Sequence, residues 1–310
     1  MGQSIFKLDE QTLNEIAVFP NIANDIALLN LFNHTSTFGG SDKLIEILNC
    51  PLTEIEQVEQ RIDAIKYLQQ ADIGFKADKK ACNNIEFYLN QPDKPSSVSR
   101  FKAIERRILN IIKSNNDFYF INKGVKDSLN LLRILDDFTQ NTNFNDLPQL
   151  LRDFFLTIRN VIGHADFIFV NSLFEKKKLN AIDIAKADHL FRNVGYDRLK
   201  ILLDKVYQLD VFIAVGKVSK KRGFTLPVIN RSDARVLKFK GLFHPFINNP
   251  VNNDIEFNYN KNTCFVAGPN IDGKSVFLKS VRISIFLSRI GFPVPAAYME
   301  TSILNGALPQ

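Results

Sequence analysis

The sequence predicts a multi-domain α plus α/β protein, mostly helical over residues 1–222 and strand-bearing over 223–310. Three observations predict it. Apolar residues recur at helical spacing through most of the first part. After "KKRGF" the pattern changes to short runs rich in β-branched and aromatic residues, bounded by Asn, Gly and Pro. Between the last such run and an amphipathic helical stretch stands "GPNIDGKS", residues 268–275. It satisfies G-x-x-x-x-G-K-[ST], the spacing of a phosphate-binding loop.

From Gln11 to about Asn90 the chain reads as helices. "IALLNLFN" brings Ile26, Leu29 and Phe32 together. "SDKLIEILN" follows Gly39-Gly40, with Ser41 or Asp42 as its natural cap. After Pro51, Thr53 and Glu56 have capping-box spacing, and Ile55, Val58, Ile62, Ile65 and Leu68 share one helical face. "NQPDKPSSVSR" (90–100) marks a loop. Helical patterns resume in "FKAIERRILNIIKS", "VKDSLNLLRILDDF" and "LPQLLRDFFLTIRNVIG". Ala181 to Lys221 reads as one long helix or two in line, weakly interrupted by Gly195 and Gly216. Strands are expected in "FTLPVI", "ARVLKFKGL", "NDIEFNY" and "NTCFVAG", whereas Glu300 in "AYMETSI" follows no strand-like run.

Composition narrows the function classes. The net charge of +6 is compatible with a polyanionic partner without specifying one. Cys50, Cys82 and Cys264 are far apart, and His34, His164, His189 and His244 are scattered, so neither a disulfide framework nor a metal cluster is suggested. That usage fits a reducing, cytoplasmic setting. "MGQSIFKLDEQ" lacks the basic start and apolar core of a signal peptide, and no apolar run approaches the roughly 20 residues of a membrane span.

Chemistry concentrates in the Gly268–Ser275 loop. "TCFVA" before it is a buried-strand run, and "SVFLKSVRISIFLSRI" after it is an amphipathic helix. A strand delivering the chain to a tight turn, then a helix pointing its positive end at the turn, is what phosphate binding requires. Gly268 and Gly273 allow close approach, Lys274 would reach the β- and γ-phosphates, and Ser275 would hold Mg²⁺ through its hydroxyl. Hydrolysis needs a further carboxylate at a neighbouring strand end. The acid after Ser275 is Glu300, and Asp136-Asp137 read as a solvated helix end.

"GPNIDGKS" followed by "IGFPVPA" resembles the MutS family of DNA mismatch-repair ATPases. "FHPF" (243–246) with "NNDIEF" looks like the family's segment before the loop, and "LDVFIAVGKVSKKRGFTLPVI" like the end of its lever helix. "LLNLFNHTSTFGG" and "PLTEIEQVEQRIDAIKYL" are similar to the start of its helical core, while residues 95–195 match only in being helical. The resemblance implies a helical core and lever region (1–222), then the first part of an ABC-type P-loop ATPase domain (223–310), truncated before Walker B. It implies ATP or ADP with Mg²⁺ at Gly268, Pro269, Asn270, Ile271, Asp272, Gly273, Lys274, Ser275 and Val276, with His244 and Asn253 flanking. It also implies mismatched or branched duplex DNA as partner, and a homodimer.

Departures from the family pattern point to a second reading. Ala267 replaces a threonine and Asp272 a glycine, and Pro250-Val251 stands where an aromatic stacks on adenine, with Phe246 the nearest ring. No Phe-x-Glu mismatch-reading motif occurs. A non-catalytic helical interaction module with a vestigial loop is the alternative, as is a junction-binding relative without mismatch reading. Two basic runs, Lys176-Lys177-Lys178 and Lys217–Arg222, could touch phosphates, but a solvated loop and a basic helix end are the favoured readings.

Overall fold

The computed structural model describes residues 10–21, 26–71, 78–90, 115–176, 178–232, 235–267 and 271–303. The expected loop over 91–100 and the helix in "FKAIERRILNIIKS" lie outside them. Helices α1 (Glu10–Glu15), α2 (Leu28–Phe32), α3 (Phe38–Asn49), α4 (Ile55–Gln70) and α5 (Lys79–Leu89) come first. After α6 (Asn115–Asn141), α7 (Gln149–Ile162), α8 (Ile168–Phe174) and α9 (Ala181–His189), one π-turn (Leu190–Val194) leads into α10 (Tyr196–Arg222). Then follow β1 (Val228–Asn230), β2 (Leu237–Leu242), β3 (Asn253–Phe257), α11 (Ile271–Arg289) and β4 (Tyr298–Ser302).

Helix α10 is the axis of the helical body. It buries residues on most of its circumference, from Leu199 to Val218, because α3, α4 and α7 pack around it. It ends as its composition dictates, with Lys220, Lys221 and Arg222 in the last turn and Gly223 at φ +70° as the left-handed cap. The weak break expected near Gly195 is real, whereas Gly216 stays helical. At the break a buried Asp188 accepts from Arg192 Nε at 2.7 Å and from the Tyr88 hydroxyl at 2.8 Å.

Two cap expectations are corrected. Helix α3 starts at Phe38, and its cap is Thr37, whose hydroxyl accepts from Gly40 N–H at 2.9 Å; Ser41 and Asp42 lie inside the helix. The reason is tertiary. Buried Asp210 of α10 accepts from Ser36 N–H, Thr37 N–H and the Thr37 hydroxyl, fixing the start one turn earlier. Gly39 then meets the Tyr207 ring so closely that a Cβ would sit 2.3 Å from it. Helix α4 starts at Ile55 without the Thr53–Glu56 capping box, because its approach is tied elsewhere: Leu52 N–H donates to Arg289 O at 3.1 Å. Ile26 is also half exposed outside α2, and Leu28, Leu31 and Phe32 bury instead.

The four-stranded sheet has the order β1-β4-β2-β3, with β1 parallel to β4 and the other pairs antiparallel. Three of the four expected strands form. "NTCFVAG" does not: residues 263–267 carry no strand assignment, and Phe265 is 94% exposed. A strand of that kind draws its ladder and cover from neighbours on both sides, and none of the described strands pairs with it. Conversely, "YMETS", not expected as a strand, is β4, central between β1 and β2. Its burial alternates, with Met299 and Thr301 inward, a half-buried pattern too short to stand out beside Pro293 and Pro295.

"IGFPVPA" joins sheet to helices. Gly291, at φ +69°, caps α11, and a Cβ there would lie 3.0 Å from Val58 O. Phe292 packs edge-on against Phe32, which also meets Phe224. Val294 and Thr225 exchange both backbone hydrogen bonds. One continuous set of buried side chains therefore runs from α2 through α10 to the sheet.

Candidate functional site

Helix α11 begins at Ile271, inside the phosphate-loop signature of residues 268–275, so Gly273, Lys274 and Ser275 stand in its first turns. Gly268, Pro269 and Asn270 lie outside the described residues, as do the side chains of Ile271 and Asp272. At Gly273, among the described residues outside the helix's own backbone, a Cβ would meet nothing within 4 Å. Lys274 is half-buried and Ser275 exposed in the first turn, with Val276 half-buried behind them.

A cavity of about 470 Å³ lies beside this helix start. Its lining brings Lys274 and Gly273 together with Asn253 and Asp254 of β3, and with Cys264 and Phe265 of the preceding segment. Sequence reasoning anticipated Lys274, Gly273 and Asn253 as one site. It did not assign Asp254, which a β-bulge positions: Gly241, at φ +60°, donates its N–H to Asp254 Oδ1 at 2.7 Å. The signal was the acid next to Asn253 in "NNDIEF".

His244 does not join the cavity lining. It accepts weakly from Phe246 N–H at 3.4 Å and lies edge-on to the Phe246 ring at 5.8 Å. Burial, then the nearby Lys279 ammonium, pulls its imidazole below the ordinary value of 6.5, so it is neutral at pH 7. Phe246 lies outside the cavity too, and Val251 is 80% exposed. Glu300 is committed within the sheet, accepting from Asn230 Nδ2 at 2.7 Å and the Tyr298 hydroxyl at 3.0 Å.

Chemically, this arrangement suits an anion. A 19-residue helix brings the positive end of its dipole to the cavity that Gly273 and Lys274 line, and Lys274 adds a full charge. Asp254 opposes it from the other wall, although one of its oxygens is engaged by Gly241. Among the described residues no three His, Cys, Asp or Glu side chains form a metal-holding group, and no helix is long and apolar enough to cross a membrane.

The far end of α11 is fastened to the helical body. Arg61 of α4 donates through Nη1 to Ile290 O at 2.8 Å, Leu52 N–H donates to Arg289 O, and Arg282 pairs with Glu15. Burial lowers the Arg61 guanidinium to about 10, which leaves it charged at neutral pH.

The family model for MutS domain III matches residues 11–215. The DNA mismatch repair protein MutS of Petrotoga mobilis is 20% identical, covering 96% of this chain and 47% of that protein. MutS of Shouchella clausii is 30% identical over 32% of this chain and 12% of its own length. MutS protein homolog 5 of Caenorhabditis elegans is 31% identical over 34% of this chain and 8% of its own. The chain thus spans about half the length of the Petrotoga relative. Because the family model covers residues 11–215, about two thirds of the 310, the chain belongs to the MutS family.

Proposed function

We propose that this protein is an ATP-dependent DNA-binding protein of the mismatch-repair type, in which nucleotide at residues 268–276 biases helical levers that grip DNA. The observation that carries the reading is the single helix α11. Its start lines a cavity with Lys274, and its end is fastened to α4 by Arg61 and Leu52. A 19-residue helix spans about 28 Å at 1.5 Å per residue, so it is a stiff strut between the two places.

In this reading the backbone N–H groups of the Gly268–Gly273 segment, Pro269 having none, and the Lys274 ammonium would hold the β- and γ-phosphates. Ser275 would offer its hydroxyl to Mg²⁺, and Asn253 would flank the nucleotide, whereas His244 stands outside the cavity lining. What supports nucleotide here is the cavity lined by Lys274 and by Gly273 in the first turn of α11. ATP with Mg²⁺ supplies a triphosphate whose charge differs between its bound states. Residues 1–222 act as core and levers and 223–310 as the nucleotide-binding part. A homodimer in the cytoplasm, binding mismatched or branched duplex, completes the proposal.

Titration with a fluorescent ATP analogue, with and without Mg²⁺, tests it beside Lys274→Ala. Saturable binding that the variant weakens tenfold or more, about 1.4 kcal/mol, is expected, together with nucleotide-dependent DNA affinity. The exposed Phe265 and the 263–267 segment, which pairs with none of the described strands, favour a second reading, a non-catalytic interaction module with a vestigial loop. No nucleotide binding by either protein, with a stable dimer, would select it. Tighter binding to a four-way junction than to a mismatched duplex would select a junction-binding role.

A further inference from the structure

On the helical body, far in sequence from the α11 site, a groove of about 460 Å³ lies between α6 and the segment that follows α8. Four cationic side chains line it: Lys126 and Arg133 from α6, Lys176 and Lys178 from the loop. Among the described residues no acidic one does. All four are exposed at the residue level, over an apolar floor that includes buried Leu129 and Leu173.

The two walls are fixed differently. Lys126, Asn130 and Arg133 fall at i, i+4 and i+7 on α6, one face of a helix, and span about 10 Å along it. The loop wall is held by its connection to α9. Lys176 pairs with Asp183 at 2.8 Å, while Asn180 and Asp183 form a reciprocal capping box at the start of α9. That ion pair holds the Asp183 carboxyl below its ordinary value. Lys126 and Lys178 form no ion pair with any described residue, and Arg133 has only a long hydrogen bond to Asn130, 3.3 Å. Like charges gathered on both sides of a concave surface raise the local concentration of a polyanion.

We infer that this groove binds the phosphodiester backbone of a nucleic acid, gripped between the Lys126–Arg133 face of α6 and Lys176 and Lys178 of the loop. The inference rests on the reading that the chain binds DNA, and locates that binding on the helical body. A backbone ligand fits better than an acidic peptide: three of the four cations are lysine ammonium groups, point charges suited to single phosphate oxygens, set along a line with one amide, Asn130, and the Arg133 guanidinium forks as readily onto a phosphate as onto a carboxylate. Phosphate contact of this kind is independent of base sequence and sensitive to salt.

The test measures binding of a labelled 30-base-pair duplex by fluorescence anisotropy, from 50 to 300 mM KCl, using the full chain. It compares the wild type with the triple variant Lys126→Gln, Arg133→Gln, Lys178→Gln, and with a control of equal charge loss, Lys217→Gln, Lys220→Gln, Lys221→Gln. Circular dichroism confirms that each variant is folded. Three lost phosphate contacts should weaken binding at least tenfold and flatten the slope of log K against log salt by about 2.7, at roughly 0.9 per contact. The control should keep the wild-type slope. Equal losses in both variants, or no loss in the groove variant, overturns the groove while DNA binding by the chain stands. No duplex binding by the wild type at 50 mM salt sinks both. Tighter binding of a polyglutamate peptide than of duplex at equal charge overturns the nucleic-acid assignment in favour of an acidic protein.

Discussion

Asp210 carries the join between α3 and α10. It is 5% exposed, and its carboxylate accepts from Ser36 N–H, Thr37 N–H and the Thr37 hydroxyl at 2.8–3.0 Å. Asp210→Ala leaves those donors unsatisfied, so a loss of about 3 kcal/mol is expected. Urea unfolding would show a lower midpoint with an unchanged slope; a loss below about 1 kcal/mol would mean water replaces the carboxylate. At His244 the prediction concerns protons. Its folded value lies below 6.5, so the folded state takes up the proton less readily than the unfolded chain. The stability it contributes is complete above about pH 6.5 and is lost as pH falls through the folded value. A histidine-resolved NMR titration should give a midpoint under 6.5, and Lys279→Gln should raise it. A midpoint at or above 6.5 would refute the burial of the ring.

Among the elements, α11 is the one whose two ends face different tasks. Its first turns line the cavity, and its last carbonyls are capped by α4 and Leu52. Arg61→Met keeps the buried stem and removes the hydrogen bond to Ile290 O. Amide exchange in the last turn of α11 should quicken by about tenfold, corresponding to roughly 1.4 kcal/mol for a bond to a charged donor. Exchange at the cavity end should not change. If both ends loosen together, the strut is held by its side-chain packing and not by its capped end.

For the whole molecule, the buried set from α2 to the sheet means that helices and strands share a core. Phe32 sits at its centre, fully buried between Phe224 and Phe292. Phe32→Ala should cost about 3–5 kcal/mol. Because the rings bridge both regions, hydrogen-exchange protection of α3 and of β2 and β4 should fall together. Protection lost in α3 alone would show that the sheet holds itself independently.

Local chemistry settled much of this in the sequence. The apolar face of α4, the long helix ending in a basic run near Arg222 and the strands at 228–230, 237–242 and 253–257 follow from periodicity and breakers, which act within a few residues. The phosphate-loop spacing likewise named Lys274 and Gly273 before any geometry. What needed the tertiary structure was whatever depends on a distant partner. Thr37 became the α3 cap because Asp210, more than 170 residues away, binds the turn before it. "YMETS" became a central strand because β1 and β2 offered edges on both sides, whereas the more strand-like "TCFVA" found none among the described strands. Asp254 entered the cavity through a bulge at Gly241, and four cations met across a groove through the packing of α8 on α6. Propensity decides what a segment can form, but pairing, capping and charge convergence are decided by neighbours that the linear order does not reveal.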